Sequence, residues 1–269
     1  MNYTYACVVY ALLFLVAWAI VFALARRARA AMVWTGVVFA PAALISELWH
    51  LQDYWLPNYV VPVRIGTWHF GGVEDLVFGF ALAGISAGVF ETLAMRQGLP
   101  SLPRMTWRAY LRMTGLGLVG LVLIAVTTTL VQLRSMHAAT VSITLTAGLV
   151  LAFRPDLAPR ALLTALAFAG FFWFFYAGVM LPLYPGMIDA FWMPHGNVGI
   201  RLAGVPLEEV VWGFSAALFS GPVLRACATP MAAGQGAPGM ASTPTGCRTA
   251  RLWLSGLGRR TTSANELDS

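Results

Sequence analysis

The sequence predicts an all-α integral membrane protein: about seven transmembrane helices, set out as two parallel three-helix repeats joined by a linker helix. Three observations predict it. Of 269 residues, 59% are hydrophobic and only 10% charged, where soluble chains carry about 25% charged residues. Several apolar runs reach or approach the roughly 20 residues that cross a bilayer. An acidic pattern also occurs twice: Val73-Glu74-Asp75-Leu76-Val77-Phe78-Gly79-Phe80 matches Leu207-Glu208-Glu209-Val210-Val211-Trp212-Gly213-Phe214 position for position, 134 residues apart.

The spans are expected at about 4–25, 31–49, 72–95, 109–132, 137–153, 160–181 and 203–225. Met1-Asn2-Tyr3-Thr4 has no basic stretch and no cleavage site, so the first span reads as a retained helix. Arginines orient the set. Fourteen of the 17 fall after the first, third and seventh spans or between the fifth and sixth, against Arg64, Arg134 and Arg201 on the other side. By the positive-inside rule the N-terminus is expected outside and the C-terminus in the cytoplasm. A three-helix unit reverses direction, so the fourth span restores parity and makes the two repeats parallel about an axis along the membrane normal. The expected domains are 1–100, the linker helix 101–134, and 135–228. Residues 229–269, rich in Gly, Ala, Thr, Pro and Ser, are expected as a disordered cytoplasmic tail.

Composition narrows the chemistry. The net charge of +6 comes entirely from arginine, with no lysine in the chain; in so apolar a sequence this is topology, and no nucleic-acid partner is expected. Cys7, Cys227 and Cys247 give neither a disulfide framework nor a metal spacing. His50, His69 and His195, placed in the outer loops, show no ligand spacing, so no metal is expected. No Gly-x-Gly-x-x-Gly, Walker loop or His-Glu-x-x-His helix is present, and no cofactor is expected. What is left is proton chemistry in an apolar pocket.

The outer segments 50–71 and 182–202 are rich in Trp, Tyr, Pro and His, and each leads into an acidic pair. Acids in hydrocarbon are disfavoured by a few kcal/mol, roughly, each. Positions i and i+4 share a helix face, so Glu208 lies over Trp212 and Glu209 over Gly213, as Glu74 lies over Phe78 and Asp75 over Gly79. One acid of each pair is backed by a ring, and the other faces a gap. Burial and a second carboxyl both favour the protonated form of an acid, and such a site pairs a proton donor with a base. The faces of Trp212, Phe78, Trp192 and Phe214 would stabilise a cationic intermediate. Arg201 is expected to pair with Glu208 or Glu209, and Glu47 to be a pocket acid or an interfacial one. Glu91, beside Arg96, reads as an ordinary interfacial charge, and the run Phe171–Tyr176 as lipid-facing packing. The structural alternative for the acids is helix capping, in which carboxylates complement the dipole at about 0.3–1 kcal/mol each. A mixed case has one acid in the chemistry and the others holding arginines or backbone amides.

Gly199-Ile200-Arg201-Leu202-Ala203-Gly204-Val205-Pro206-Leu207-Glu208-Glu209 resembles the signature of the membrane-embedded lycopene cyclase domain family, found as paired bacterial subunits and as fused archaeal and fungal repeats. The likeness covers about residues 1–228. It implies non-redox, acid/base cyclisation of the linear ψ end groups of lycopene or a similar carotenoid to ionone rings. It makes Glu208 and Glu209 the second-half acids, and Glu74 and Asp75 the first-half ones. The implied partners are the lipophilic carotenoid, membrane lipids, and a second copy or other carotenoid enzymes. The chain departs from the family in carrying Gly72 where the second motif has Pro206, and Val-Phe-Gly and Val-Trp-Gly after the acids where the family shows paired Phe.

Three rivals share features. A retinal protein needs a Schiff-base lysine, which is absent. An intramembrane glutamate protease would resemble Glu-Glu-x-x-x-Arg, but Gly213 stands where that Arg belongs. A proton-coupled transporter or lipid-binding scaffold predicts a water path to both faces, whereas a cyclase predicts a dry, lipid-open pocket ending at acids.

Overall fold

The computed structural model describes residues 3–229. The expected tail from 230 onward lies outside the described residues. Among the described residues, seven helices are long and apolar enough to span a membrane, the form in which a chain satisfies its own backbone hydrogen bonds in lipid. They are α1 (Ala6–Leu24), α2 (Arg29–Asp53), α3 (Val73–Arg96), α4 (Trp107–Thr129), α5 (Ser135–Phe153), α6 (Ala158–Phe174) and α9 (Leu207–Ala228). Helix α6 continues through a π turn, Phe175–Met180, into the short α7 (Leu181–Leu183), and α8 (Met187–Phe191) follows.

Two features of the outer segments differ from the expectation. Helix α2 runs to Asp53, so His50 and Asp53 sit on its last turn and not in a loop. The stretches before the acidic pairs are not irregular either. They form two small antiparallel hairpins, β1 (Pro62–Ile65) with β2 (Trp68–Gly72), and β3 (Arg201–Leu202) with β4 (Val205–Pro206). The second turn has Ala203 at φ 51° and Gly204 at φ 85°, the doubly positive φ of a two-residue hairpin loop. Each hairpin delivers its chain straight into α3 or α9.

Helices α3 and α9 form the centre, with 61% and 72% of their spans buried and no more than 39% in any other. Small side chains allow it: Ala81, Ala83, Gly84, Ala87 and Gly88 on one, Ser215, Ala216, Ala217 and Gly221 on the other. Such residues let backbones approach where lipid supplies no hydrophobic drive for association. Helix α3 packs on α1 and α2, and α9 on α5 and α6. Residues 134 apart meet between the central pair: Phe78 stacks on Trp212 with ring centroids 6.1 Å apart, and Glu91 pairs with Arg225 at 2.5 Å. Glu91 is therefore no interfacial charge. It is buried, as is Arg225. Helix α4 packs against α2, α5 and α9.

At Gly79 an added Cβ would stand 2.5 Å from the Cβ of Ala43, so α2 and α3 touch there. Gly79→Val is expected to wedge them apart and to cost about 1–3 kcal/mol, the usual range for overpacking. A thermal unfolding scan in detergent reads that loss.

Candidate active site

The two motif acids divide their work in the same way in both halves. Glu74 turns back onto the preceding loop, its Oε1 accepting from the amides of Val60 at 2.7 Å and Val61 at 3.2 Å. Glu208 does likewise, accepting from the amide of Val198. The second acids face inward. Asp75, Glu209 and Glu47 line one cavity of about 490 Å³, open mouth included, together with Tyr54, Trp55, Tyr176 and His50. Glu74 and Glu208 do not line it. Glu208→Ala would strand the Val198 amide at a cost of about 1–3 kcal/mol. The expected result is a lower unfolding temperature with the inward-facing acids still in place.

One residue explains why the halves are unequal. Gly72 caps α3, and its N–H donates to Asp75 Oδ2 at 2.8 Å, a capping arrangement that ties Asp75 to its own helix. Pro206 holds the equivalent position before α9 and has no N–H to give. Glu209 is thereby released from capping. Its Oε1 accepts instead from the Tyr54 hydroxyl at 2.8 Å and the Trp192 indole N–H at 2.9 Å. Glu47 Oε2 accepts from the Trp55 indole N–H at 2.8 Å and the Tyr59 hydroxyl at 3.3 Å.

The donors reach the acids because the two outer segments are stitched together. Trp55 and Trp192 form a short antiparallel bridge. Leu56 N donates to Phe191 O at 2.8 Å, and Met193 N to Tyr54 O at 2.8 Å. The first half thus contributes Tyr54 to the acid of the second. Burial first, then the charge of Glu209, pushes the Tyr54 hydroxyl well above the ordinary phenol range; burial and Glu47 do the same to Tyr59. Both phenols therefore stay protonated and act as donors. No arginine lines the cavity.

Next to the acids lies an apolar cavity of about 740 Å³, open mouth included. It is walled by Phe39, Ala43, Gly117, Ile124, Ile143 and Phe219 among others, from α2, α4, α5 and α9. Ala43, Ser46, His50, Phe78 and Trp212 line both spaces, which joins them into one. From Phe39 to His50 on α2 it extends roughly 16 Å at 1.5 Å per residue.

Of the residues expected from sequence, Asp75, Glu209, Glu47, Phe78 and Trp212 come together at the inner cavity, and Trp192 reaches it through Glu209. Phe214 lines neither cavity. Arg201 does not pair with Glu208 or Glu209. It is exposed and pairs with Asp189 at 2.7 Å, a surface contact worth about 0–1 kcal/mol. The aromatic run is not simply lipid-facing, since Phe172, Phe175 and Tyr176 are buried. Tyr176 lines the acid cavity from the π turn, a distortion found often at functional sites. Tyr54 and Tyr59 are not among the site residues expected from sequence, and His50 is weighed there only as a metal ligand. The signal present was their clustering with Glu47 within one turn or loop of the end of α2.

Residues 134–225 match the family model described as lycopene cyclase. This stretch is therefore similar to lycopene cyclase over about a third of the chain. No curated protein and no solved structure gave a match. The matched stretch supplies α5, α6 and α9 with Trp192, Glu208 and Glu209, while Glu47, Tyr54, Tyr59 and Asp75 come from the part of the chain before it.

Proposed function

We propose that the protein is a carotenoid cyclase of the lycopene cyclase type, an intramolecular lyase or isomerase that closes linear ψ end groups to ionone rings within the membrane. The observation that carries this reading is an apolar cavity ending at three inward-facing carboxyls. A hydrocarbon end group entering from the bilayer would lie along α2 with its terminus at the acids. The rest of a long chain would stay in lipid.

Glu209 is the proton donor in this mechanism. Its Oε1 is held by Tyr54 and Trp192, which leaves the other oxygen to carry a proton. Transfer of that proton to the terminal C=C of the substrate makes a tertiary cation. The π electrons of the neighbouring double bond close the six-membered ring, and loss of a ring proton restores a neutral product. Atoms and electrons balance without an oxidant. Phe78 and Trp212, stacked beside the cavity, present π faces to the transient cation. A dry wall protects that cation from capture by water. Glu74 and Glu208 act as positioning residues that hold the hairpins over the cavity.

The frame of this site is a duplicated three-helix unit, 1–100 and 135–228, with α4 closing one side. The arginine-rich end faces the cytoplasm, so the hairpins and acids open on the outer half of the bilayer. The transporter alternative needs a polar route past the acids. The far half of α3 and α9 is instead filled with mostly apolar residues, among them Ile85, Phe90, Leu218 and Val223, and closed by the Glu91–Arg225 pair, which favours the cyclase.

Expression in cells that accumulate lycopene tests the proposal. Monocyclic or bicyclic carotenoid in the pigment extract is the expected result; unchanged lycopene beside well-folded protein would overturn it.

A further inference from the structure

One buried polar chain is left unused by this mechanism. His50 is 5% exposed and lines both the apolar cavity and the acid cavity. Its Nδ1 lies 3.0 Å from Ser135 Oγ. Ser135 in turn meets Asp53 twice, through its hydroxyl to Oδ1 at 2.5 Å and its amide to Oδ2 at 2.9 Å.

Proton counting fixes the direction of every bond. Both oxygens of Asp53 receive a donor, so Asp53 accepts and the single Ser135 hydroxyl proton points to it. The hydroxyl oxygen then has only a lone pair for His50, so Nδ1 carries the proton and donates. That leaves Nε2 with a free lone pair. Nε2 has no hydrogen-bond partner among the described residues, on a ring that borders the space where the substrate end group would lie. The oxygens of Glu47 and Asp75 that take indole, phenol or amide donors are engaged in holding structure.

We propose that His50 is the base that removes the ring proton, with Ser135 and Asp53 as positioning residues that set its tautomer. The inference rests on the cyclase reading and deepens it. The cyclised cation loses a proton from the carbon next to its charge to His50 Nε2, and the C–H electron pair becomes the ring double bond. The protein is left with a Glu209 carboxylate and a His50 imidazolium. Proton transfer from one to the other, within the cavity both line, resets the site with no net uptake or release.

The test compares the wild-type protein with His50→Gln, which keeps a polar side chain but has no basic nitrogen. Pigment conversion and the position of the ring double bond are measured in membranes from lycopene-accumulating cells. Turnover is expected to fall by about 10²–10⁴-fold, and the ratio of ring isomers to shift, because a different group must take the proton. Ser135→Ala is expected to shift the same ratio and, in ¹⁵N spectra of histidine-labelled protein, to mix the tautomers of His50. If His50→Gln does not fold, Ser135→Ala and Asp53→Asn are read by the same isomer ratio. Unchanged rate and isomer ratio in the folded variants would overturn the role of His50 and leave the cyclase reading standing, as would a ¹⁵N spectrum with the proton on Nε2. A wild-type protein that leaves lycopene unchanged would overturn both.

Discussion

Glu209→Gln is expected to remove cyclisation almost completely, by about 10²–10⁴-fold in rate, the usual contribution of a positioned general acid. Glu208→Gln is expected to retain most of it. The two acids are neighbours, and a reading based on the pair alone would treat them alike. Their partners separate them. Glu208 accepts from the Val198 amide, and the oxygen of a glutamine can take over that role. Glu209 faces the cavity with Tyr54 and Trp192 on one oxygen, and glutamine there keeps the hydrogen bonds but has no acidic proton. Asp75→Asn should fall between them, since Asp75 lines the cavity but is tied to the Gly72 amide. Conversion of lycopene at matched protein level orders the three variants, and unfolding temperatures separate lost chemistry from lost fold. Full activity in Glu209→Gln with none in Glu208→Gln would reverse the assignment.

The second large effect is on stability. Arg225→Met is expected to destabilise the folded protein by about 3–5 kcal/mol, because removing one member of a buried ion pair strands the other. Glu91 and Arg225 meet through two hydrogen bonds, at 3.0 and 2.5 Å, and Arg225 also donates to the Pro100 carbonyl at 3.0 Å. Both side chains are almost fully buried between the two central helices. The double variant Glu91→Met with Arg225→Met should recover most of the loss, since an apolar pair of similar volume is often neutral or better. Unfolding in detergent for the two single variants and the double variant gives the coupling directly. Equal losses in single and double variants would mean that the pair contributes through something other than mutual neutralisation.

Much of the architecture was legible in the residues. Spanning helices announce themselves because hydrocarbon leaves an unpaired backbone no alternative, and the seven expected spans correspond to the seven observed. Spacing along a helix gave the two acids of each pair different neighbours, but all four were expected in the chemistry. Asp75 and Glu209 lie over Gly79 and Gly213, and these are the two that face the cavity. Other features escaped because their cause lies in distant residues. Tyr54 reaches Glu209 across 155 positions, and Arg225 reaches Glu91 across 134. Arg201 was drawn to the wrong acid by proximity along the chain; the hairpin turns it outward to Asp189. The hairpins themselves hid in loops of mixed composition, marked only by Gly66 and by Ala203-Gly204.

By itself the sequence determined a membrane protein with a repeated acidic motif, because hydropathy and a doubled pattern are local properties that need no partner. Only the tertiary structure decided which acids face the cavity. That depended on where donors from the other half of the chain arrive: the bridge between Trp55 and Trp192 carries Tyr54 onto Glu209, and the end of α2 brings Glu47 and His50 to the same cavity. A carboxyl's role follows from what it is bonded to, and here those bonds join the two halves.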